Sequence, residues 1–169
     1  MNNLTIVIPT INRSTISNTV KSIEDQTIPC EYVIEKDNGL TGCGPTMNRA
    51  IAKVKTEYVG FVGDDDTLDP KYVEMFLVEN DDCDMFIFKM QYITGRILPE
   101  HDNVSSYSLG EVGGSFIIRK SLIEKYPFVR ERREKSYHED WEMIKTLRDN
   151  GYKIQVSRSV GYFIRPHTK

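Results

Sequence analysis

Apolar residues fall in short runs that alternate with stretches of helical spacing. Leu4 to Ile8 is β-branched and apolar and is closed by Pro9, which predicts a first strand buried on both faces. Ile16, Val20 and Ile23 recur at helical intervals, with Ser14 or Thr15 available as the cap. Glu31 to Glu35 predicts a second strand running into the turn sequence Lys36-Asp37-Asn38-Gly39. Met47, Ala50, Ile51 and Val54 form the apolar face of a helix that starts at Pro45 or Thr46. Tyr58 to Val62 reads as a buried third strand, and Pro70 opens a helix marked by Val73, Phe76 and Leu77.

The second half is mixed. Asp84 to Met90 predicts a strand, and Thr94-Gly95 turns a hairpin between Tyr92-Ile93 and Arg96-Ile97-Leu98. Residues 99 to 112 are polar and irregular, as in a mobile loop over a site. Gly113-Gly114 precedes a strand from Ser115 to Arg119, and Ser121 caps a short helix through Tyr126. Residues 129 to 136 are a charge run, expected to be a solvated loop. Trp141, Ile144 and Leu147 stripe a helix ended by Gly151, and Tyr152–Val156 and Val160–Ile164 are the last two strands. The order predicts an α/β domain whose first half is mostly parallel.

A length of 169 residues fits one domain, 1–169, with a sizeable core. Charged residues at 28% and hydrophobic ones at 39% suit a soluble globular chain, and a net charge of -3 gives no basic footprint for nucleic acid. No apolar run reaches the length of a transmembrane segment, and Met-Asn-Asn-Leu-Thr shows no signal-peptide pattern. Cys30, Cys43 and Cys83 lack any Cys-x-x-Cys spacing, so the expectation is packing thiols in a cytoplasmic protein.

Candidate chemistry gathers at predicted strand ends, where α/β sheets bind ligands. The third strand feeds through Gly63 into Asp64, Asp65 and Asp66. Three adjacent carboxylates raise one another's pKa and call for a counter-charge, which Mg²⁺ or Mn²⁺ supplies. The alternative is a polar turn capping the next helix. Thr10, Asn12 and Arg13 follow the first strand, and Arg13 is either a phosphate ligand or a solvated surface side chain. Asp37 either accepts hydrogen bonds from a base or ribose or forms an Asx turn. Glu139 and Asp140 begin the last helix, where the dipole favours carboxylates and a general base could also sit.

Taken in order, these anchors resemble the inverting GT-A glycosyltransferases, closest to family 2, over nearly the whole chain. The carriers are Ile8-Pro9-Thr10-Ile11-Asn12-Arg13, Ser22-Ile23-Glu24-Asp25-Gln26-Thr27, the helix bearing Asn48, Phe61-Val62-Gly63-Asp64-Asp65-Asp66, Gly113 to Lys120, Glu139-Asp140-Trp141-Glu142 with Asn150-Gly151-Tyr152, and Tyr162-Phe163-Ile164-Arg165-Pro166-His167. Gly63 stands where many relatives have Asp, Lys36-Asp37-Asn38-Gly39 replaces the usual Asp-Asp-Gly-Ser, and the chain is short. The acceptor-binding part is then minimal or supplied by a partner, a homo-oligomer included.

The resemblance implies a GT-A, Rossmann-like fold with a mixed central sheet flanked by helices. It implies metal-dependent, inverting transfer of a hexosyl group from a nucleotide-diphosphate sugar, UDP first, to a glycan or other hydroxyl acceptor. Pro9, Thr10, Asn12, Arg13, Asp37 and Asn48 would line the donor pocket, with Asp64 and Asp65 reaching the donor as well. Two of Asp64, Asp65 and Asp66, with His167, would hold Mn²⁺ or Mg²⁺. Asp140, with Glu139 second, would be the base. A haloacid-dehalogenase-type phosphatase shares the strand-Asp-x-Asp pattern, but position 68 is Leu and the acids come mid-chain. A nucleotidyltransferase would carry a Gly-rich loop after the first strand, and a non-catalytic sugar- or nucleotide-binding module would not need both acid sets.

Overall fold

The computed structural model describes residues 3–37, 41–128 and 138–165. The elements in chain order are β1 (Leu4–Thr10), α1 (Ile16–Glu24), β2 (Glu31–Lys36), α2 (Cys43–Ile51), β3 (Tyr58–Phe61), β4 (Thr67–Leu68), α3 (Tyr72–Glu79), β5 (Met85–Tyr92), β6 (Ile97–Leu98), β7 (Phe116–Arg119), α4 (Lys120–Lys125), α5 (Glu139–Asp149) and β8 (Ile154–Ile164). One mixed sheet runs β2-β1-β3-β7-β5-β8-β4, with β6 added to β5. β2, β1 and β3 are parallel, β7 is antiparallel to β3 and β5, and β5 and β8 are parallel. This is the mixed sheet flanked by helices that the resemblance implies, and its first three strands are parallel as the element order predicts.

Both faces of the sheet are covered, which is why its central strands read as unbroken apolar runs. Alternate side chains go to opposite layers. Val7, Val59, Phe61, Met85 and Ile87 pack with α2 and α5, whereas Leu4, Ile6, Ile8, Phe86 and Phe88 pack with Ile23 of α1 and Val73 and Phe76 of α3. The β3–β4 link is residues 62–66, which include a turn closed by Asp66 N–H on the Gly63 carbonyl at 3.2 Å. A flat sheet would set β3 and β4 roughly 19 Å apart, at four strand spacings. The short link therefore requires the sheet to curl, and the curl brings the end of β8 over the acid turn.

Several boundaries differ from the sequence expectation. β1 does not stop at Pro9: it continues to Thr10, with Pro9 in register with Glu35 of β2. The β3 ladder ends at Val7↔Phe61, so Pro9 has a strand on one side only and its missing N–H is tolerated. α2 begins at Cys43, ahead of Pro45, after Gly42 at φ 83°. Leu77 is 47% exposed, and Tyr72 takes the buried position that spacing assigned to it. The stripe of α5 is Met143, Ile144 and Leu147, with Trp141 half-buried at its rim. The last two predicted strands are one, β8, whose pairing with β5 shifts register between Ile87 and Met90. Residues 99–112 include a 3₁₀ turn, Val104–Ser106, and are anchored by buried Tyr107 and Val112. Arg148 also donates to the Tyr107 carbonyl at 3.0 Å. The charge run at 129–136 lies outside the described residues.

Candidate active site

The site lies beyond the carboxyl ends of β1 and β3. Asp64 is 2% exposed. One of its oxygens accepts from Thr10 Oγ1 at 2.6 Å and from the Ile11 amide at 3.1 Å, and the other pairs with Arg13. Burial pushes the Asp64 carboxyl up, but the hydrogen bonds from Thr10 and Arg13 outweigh it and hold the carboxyl below its usual range. Arg13, bonded to Asp64 and 3.7 Å from Asp65, is held above its usual pKa by the Asp64 hydrogen bond, while its side chain stays about a third exposed beside the turn.

Asp66 is held from the other side. Tyr162 donates to its Oδ2 at 2.8 Å, and the Arg165 amide donates to its Oδ1 at 3.1 Å. The same Tyr162 hydroxyl accepts the Gly63 amide at 3.0 Å, and burial pushes the phenol pKa well up. Tyr162 and Arg165 enter the sequence expectation only as part of a strand pattern, and a donor to a carboxylate 96 residues away in sequence leaves no local signature.

The segment Ser22 to Thr27 turns out to be scaffold for the acid turn. Gln26 donates to the Asp69 carbonyl at 2.7 Å and accepts the Val73 amide at 3.0 Å, while Ser22 accepts the Leu68 amide at 3.2 Å. Thr19 donates to the Asp66 carbonyl at 2.7 Å. Thr15 sits at the N-cap of α1 without capping it: its hydroxyl donates to the Asp64 carbonyl at 2.8 Å.

Across a cavity of about 310 Å³ from this turn stand Glu139 and Asp140, at the first residues of α5. Pro9, Gly63 and Tyr162 line the same cavity. Burial raises the Asp140 carboxyl above the ordinary Asp range, against the lowering effect of the Trp141 amide bond at 2.8 Å and of His138. Gly113 lets the backbone close on this group: a Cβ there would lie 2.7 Å from Met90 Cε and 3.6 Å from Asp140 Oδ2.

Of the predicted site residues Pro9, Glu139 and Asp140 line the cavity; Thr10, Arg13, Asp64, Asp65 and Asp66 do not, and neither do Asn12, Asp37 and Asn48. Asn48 clamps the Phe128 backbone, donating to its carbonyl at 2.7 Å and accepting its amide at 3.1 Å. Asn12 adopts φ 64° and donates its amide to Thr10 Oγ1 at 2.8 Å. Asp37 directly follows β2 beside β1, its amide on the Thr10 carbonyl at 2.7 Å and its Oδ1 accepting the Gly42 amide at 3.4 Å. His167 lies outside the described residues.

Among the described residues, no three His, Cys, Asp or Glu side chains converge as a metal cage. Mg²⁺ and Mn²⁺ commonly take one or two carboxylates and complete their shell with substrate phosphates and water. The hard oxygen donors of the turn suit that kind of site. Asp64 and Asp66 each accept bonds on both oxygens from within the protein.

Neither a protein-family model nor a curated protein matches the chain. Solved structures do. The structure of Staphylococcus aureus TarS residues 1–349 with UDP-GlcNAc superposes with a TM-score of 0.79 at 18% identity, over 98% of this chain and 59% of that one. The chain has a GT-A-like glycosyltransferase fold. The same TarS fragment with UDP gives 0.76 over 95% and 60%, again at 18% identity. The longer TarS structure gives 0.76 over 96% of this chain and 36% of its own. The chain thus spans about three fifths of the 1–349 fragment. No helix among the described residues is long and apolar enough to cross a membrane.

Proposed function

We propose that the protein transfers a sugar from a nucleoside-diphosphate sugar, UDP first, to an acceptor hydroxyl with inversion at the anomeric carbon. The observation that carries this is one cavity bounded by the acid turn at Gly63 and Tyr162 and, opposite, by Asp140 and Glu139. Such a cavity can hold a reacting carbon between a leaving diphosphate and a base. The acceptor oxygen attacks the anomeric carbon, the bond from that carbon to the diphosphate oxygen breaks, its electron pair leaves with the diphosphate, and the acceptor proton passes to Asp140. The raised pKa of Asp140 makes it a better base than an exposed aspartate. TarS fragments that carry UDP-GlcNAc and UDP on the same fold support the choice of nucleotide.

Arg13, Thr10 and Asp64 shape the diphosphate side, and Asp37 at the end of β2 faces the nucleoside. Two of Asp64, Asp65 and Asp66, with His167 as a further ligand, would hold Mn²⁺ or Mg²⁺ together with the diphosphate. Bound there, the ion supplies Lewis-acid neutralisation of the leaving charge.

The test is release of nucleoside diphosphate from a panel of nucleotide sugars with Mn²⁺, alone and with acceptors. Turnover that a chelator abolishes is the expected result. Nucleotide binding without turnover would make the protein a binding module, and formation of nucleoside triphosphate and sugar 1-phosphate when inorganic pyrophosphate is added would make it a nucleotidyltransferase.

A further inference from the structure

Inverting transfer requires the acceptor oxygen to arrive opposite the leaving diphosphate, on the side of the cavity where Asp140 and Glu139 stand. A second cavity, of about 400 Å³, adjoins this side, with Phe128 and Glu139 as walls common to both. One wall is a single face of α5. Glu139, Glu142, Met143 and Thr146 recur there at steps of three and four residues and run about 10 Å along the helix. The facing wall is the end of α4 and the segment after it, from Lys125 through Tyr126 to Phe128. Glu139 stands where the two cavities meet, packed beside the first turn of α2, where a Cβ on Gly44 would lie 3.5 Å from its Cγ. Asp140, the next residue, lines the first cavity and not the second.

The chemistry of this groove selects its occupant. Met143, Tyr126 and Phe128 offer apolar surface to the C–H face of a ring. Glu139 and Glu142, as carboxylates, accept hydrogen bonds only and call for donors, which hydroxyls supply, and the Thr146 hydroxyl can donate or accept. Among the described lining residues two carboxylates stand against one ammonium. That ammonium is engaged: Lys125 Nζ donates to the Tyr152 hydroxyl at 2.8 Å and lies 5.0 Å from the centre of the Tyr126 ring. A phosphate or carboxylate in the groove would meet net negative charge. We propose that the groove is the acceptor subsite, that its occupant is an uncharged, polyhydroxylated glycan end, and that Glu139 and Glu142 accept hydrogen bonds from its hydroxyls while Asp140 takes the proton of the attacking one. This rests on the transferase reading above, and it places the acceptor on this chain rather than on a partner.

The experiment uses the full chain and whichever UDP-sugar it turns over fastest. Methyl glucoside, methyl galactoside, cellobiose and lactose serve as acceptors, and glucose 6-phosphate as the charged comparison. Glycosylated product is followed alongside UDP release, and UDP affinity is measured by calorimetry. At least one uncharged acceptor should be glycosylated with kcat/KM about tenfold or more above that of the sugar phosphate, the scale of one repulsive charge contact. Glu142 is exposed, so Glu142→Ala leaves the core intact. It should raise the acceptor KM by about tenfold or more, the loss expected for a hydrogen bond to a charged group. Thr146→Trp, which fills the groove, should raise the acceptor KM as well. An acceptor KM unchanged in either variant, equal or better use of the sugar phosphate, or donor turnover with no glycoside accepted overturns this inference and leaves the transferase reading standing. Failure to bind UDP or turn over any donor overturns that reading and this inference with it.

Discussion

Asp140 is half-buried at the start of α5, and desolvation raises its pKa. A base must be deprotonated to act, so activity falls as pH drops through that raised value. The acid limb of kcat/KM should therefore lie above the ordinary Asp value of about 3.9. Asp140→Asn should lower kcat by about 10²- to 10⁴-fold and erase that limb while UDP affinity survives, as calorimetry would show. Lost UDP binding would mean Asp140 serves the donor. Tyr162 illustrates the same scale with a different atom. Its hydroxyl joins the Gly63 amide to the Asp66 carboxylate, and Tyr162→Phe would leave both without that partner. A loss of about 1–3 kcal/mol in urea unfolding is expected. An unchanged midpoint would show that the turn finds other partners.

At the level of elements, helices and strands were easier to anticipate than what holds them together. Leu4–Ile8 and Tyr58–Val62 read as buried strands because both faces of the sheet are covered, and Ile16, Val20 and Ile23 read as a helix from spacing alone. β4 was not legible: two residues, Thr67 and Leu68, become a strand only because β8 passes beside them. The continuity of β8 was likewise hidden by Ser157, Arg158 and Ser159, which break the apolar pattern. Ser157 and the Arg158 amide both donate to Glu79 at 3.0 Å, so the polar interruption is tied to the end of α3. Farther along β8, a Cβ on Gly161 would lie 2.4 Å from Phe88 Cδ1, and Phe88 is itself stacked on Tyr72 at 4.1 Å. The ring has no room to retreat, so Gly161→Ala should destabilise by about 1–3 kcal/mol or more in thermal or urea unfolding. Full stability in that variant would show that β8 and β5 can separate locally.

For the whole molecule, the curl of the sheet sets β8 against the acid turn and α5 across the cavity from it. Cation binding should follow from that arrangement. Among the described residues no three-ligand cage forms, so on the proposed function the donor diphosphate would complete the ion's shell. Mn²⁺ followed by paramagnetic resonance should bind weakly to the protein alone and much more tightly once UDP is present. Equal affinity with and without UDP would point to a cage built by the protein itself.

Local sequence was enough to determine the layering of the fold, because burial on both faces of a central strand leaves an unmistakable apolar run. It also determined which acid clusters deserved attention, since Asp64-Asp65-Asp66 and Glu139-Asp140 stand at predicted element ends. Which donor meets which carboxylate was decided by tertiary structure alone. Arg13 and Thr10 reach Asp64 across more than 50 residues, and Tyr162 reaches Asp66 across 96. Hydrogen-bond partners so distant in sequence are chosen by the path of the chain and the curl of its sheet, and no periodicity records them.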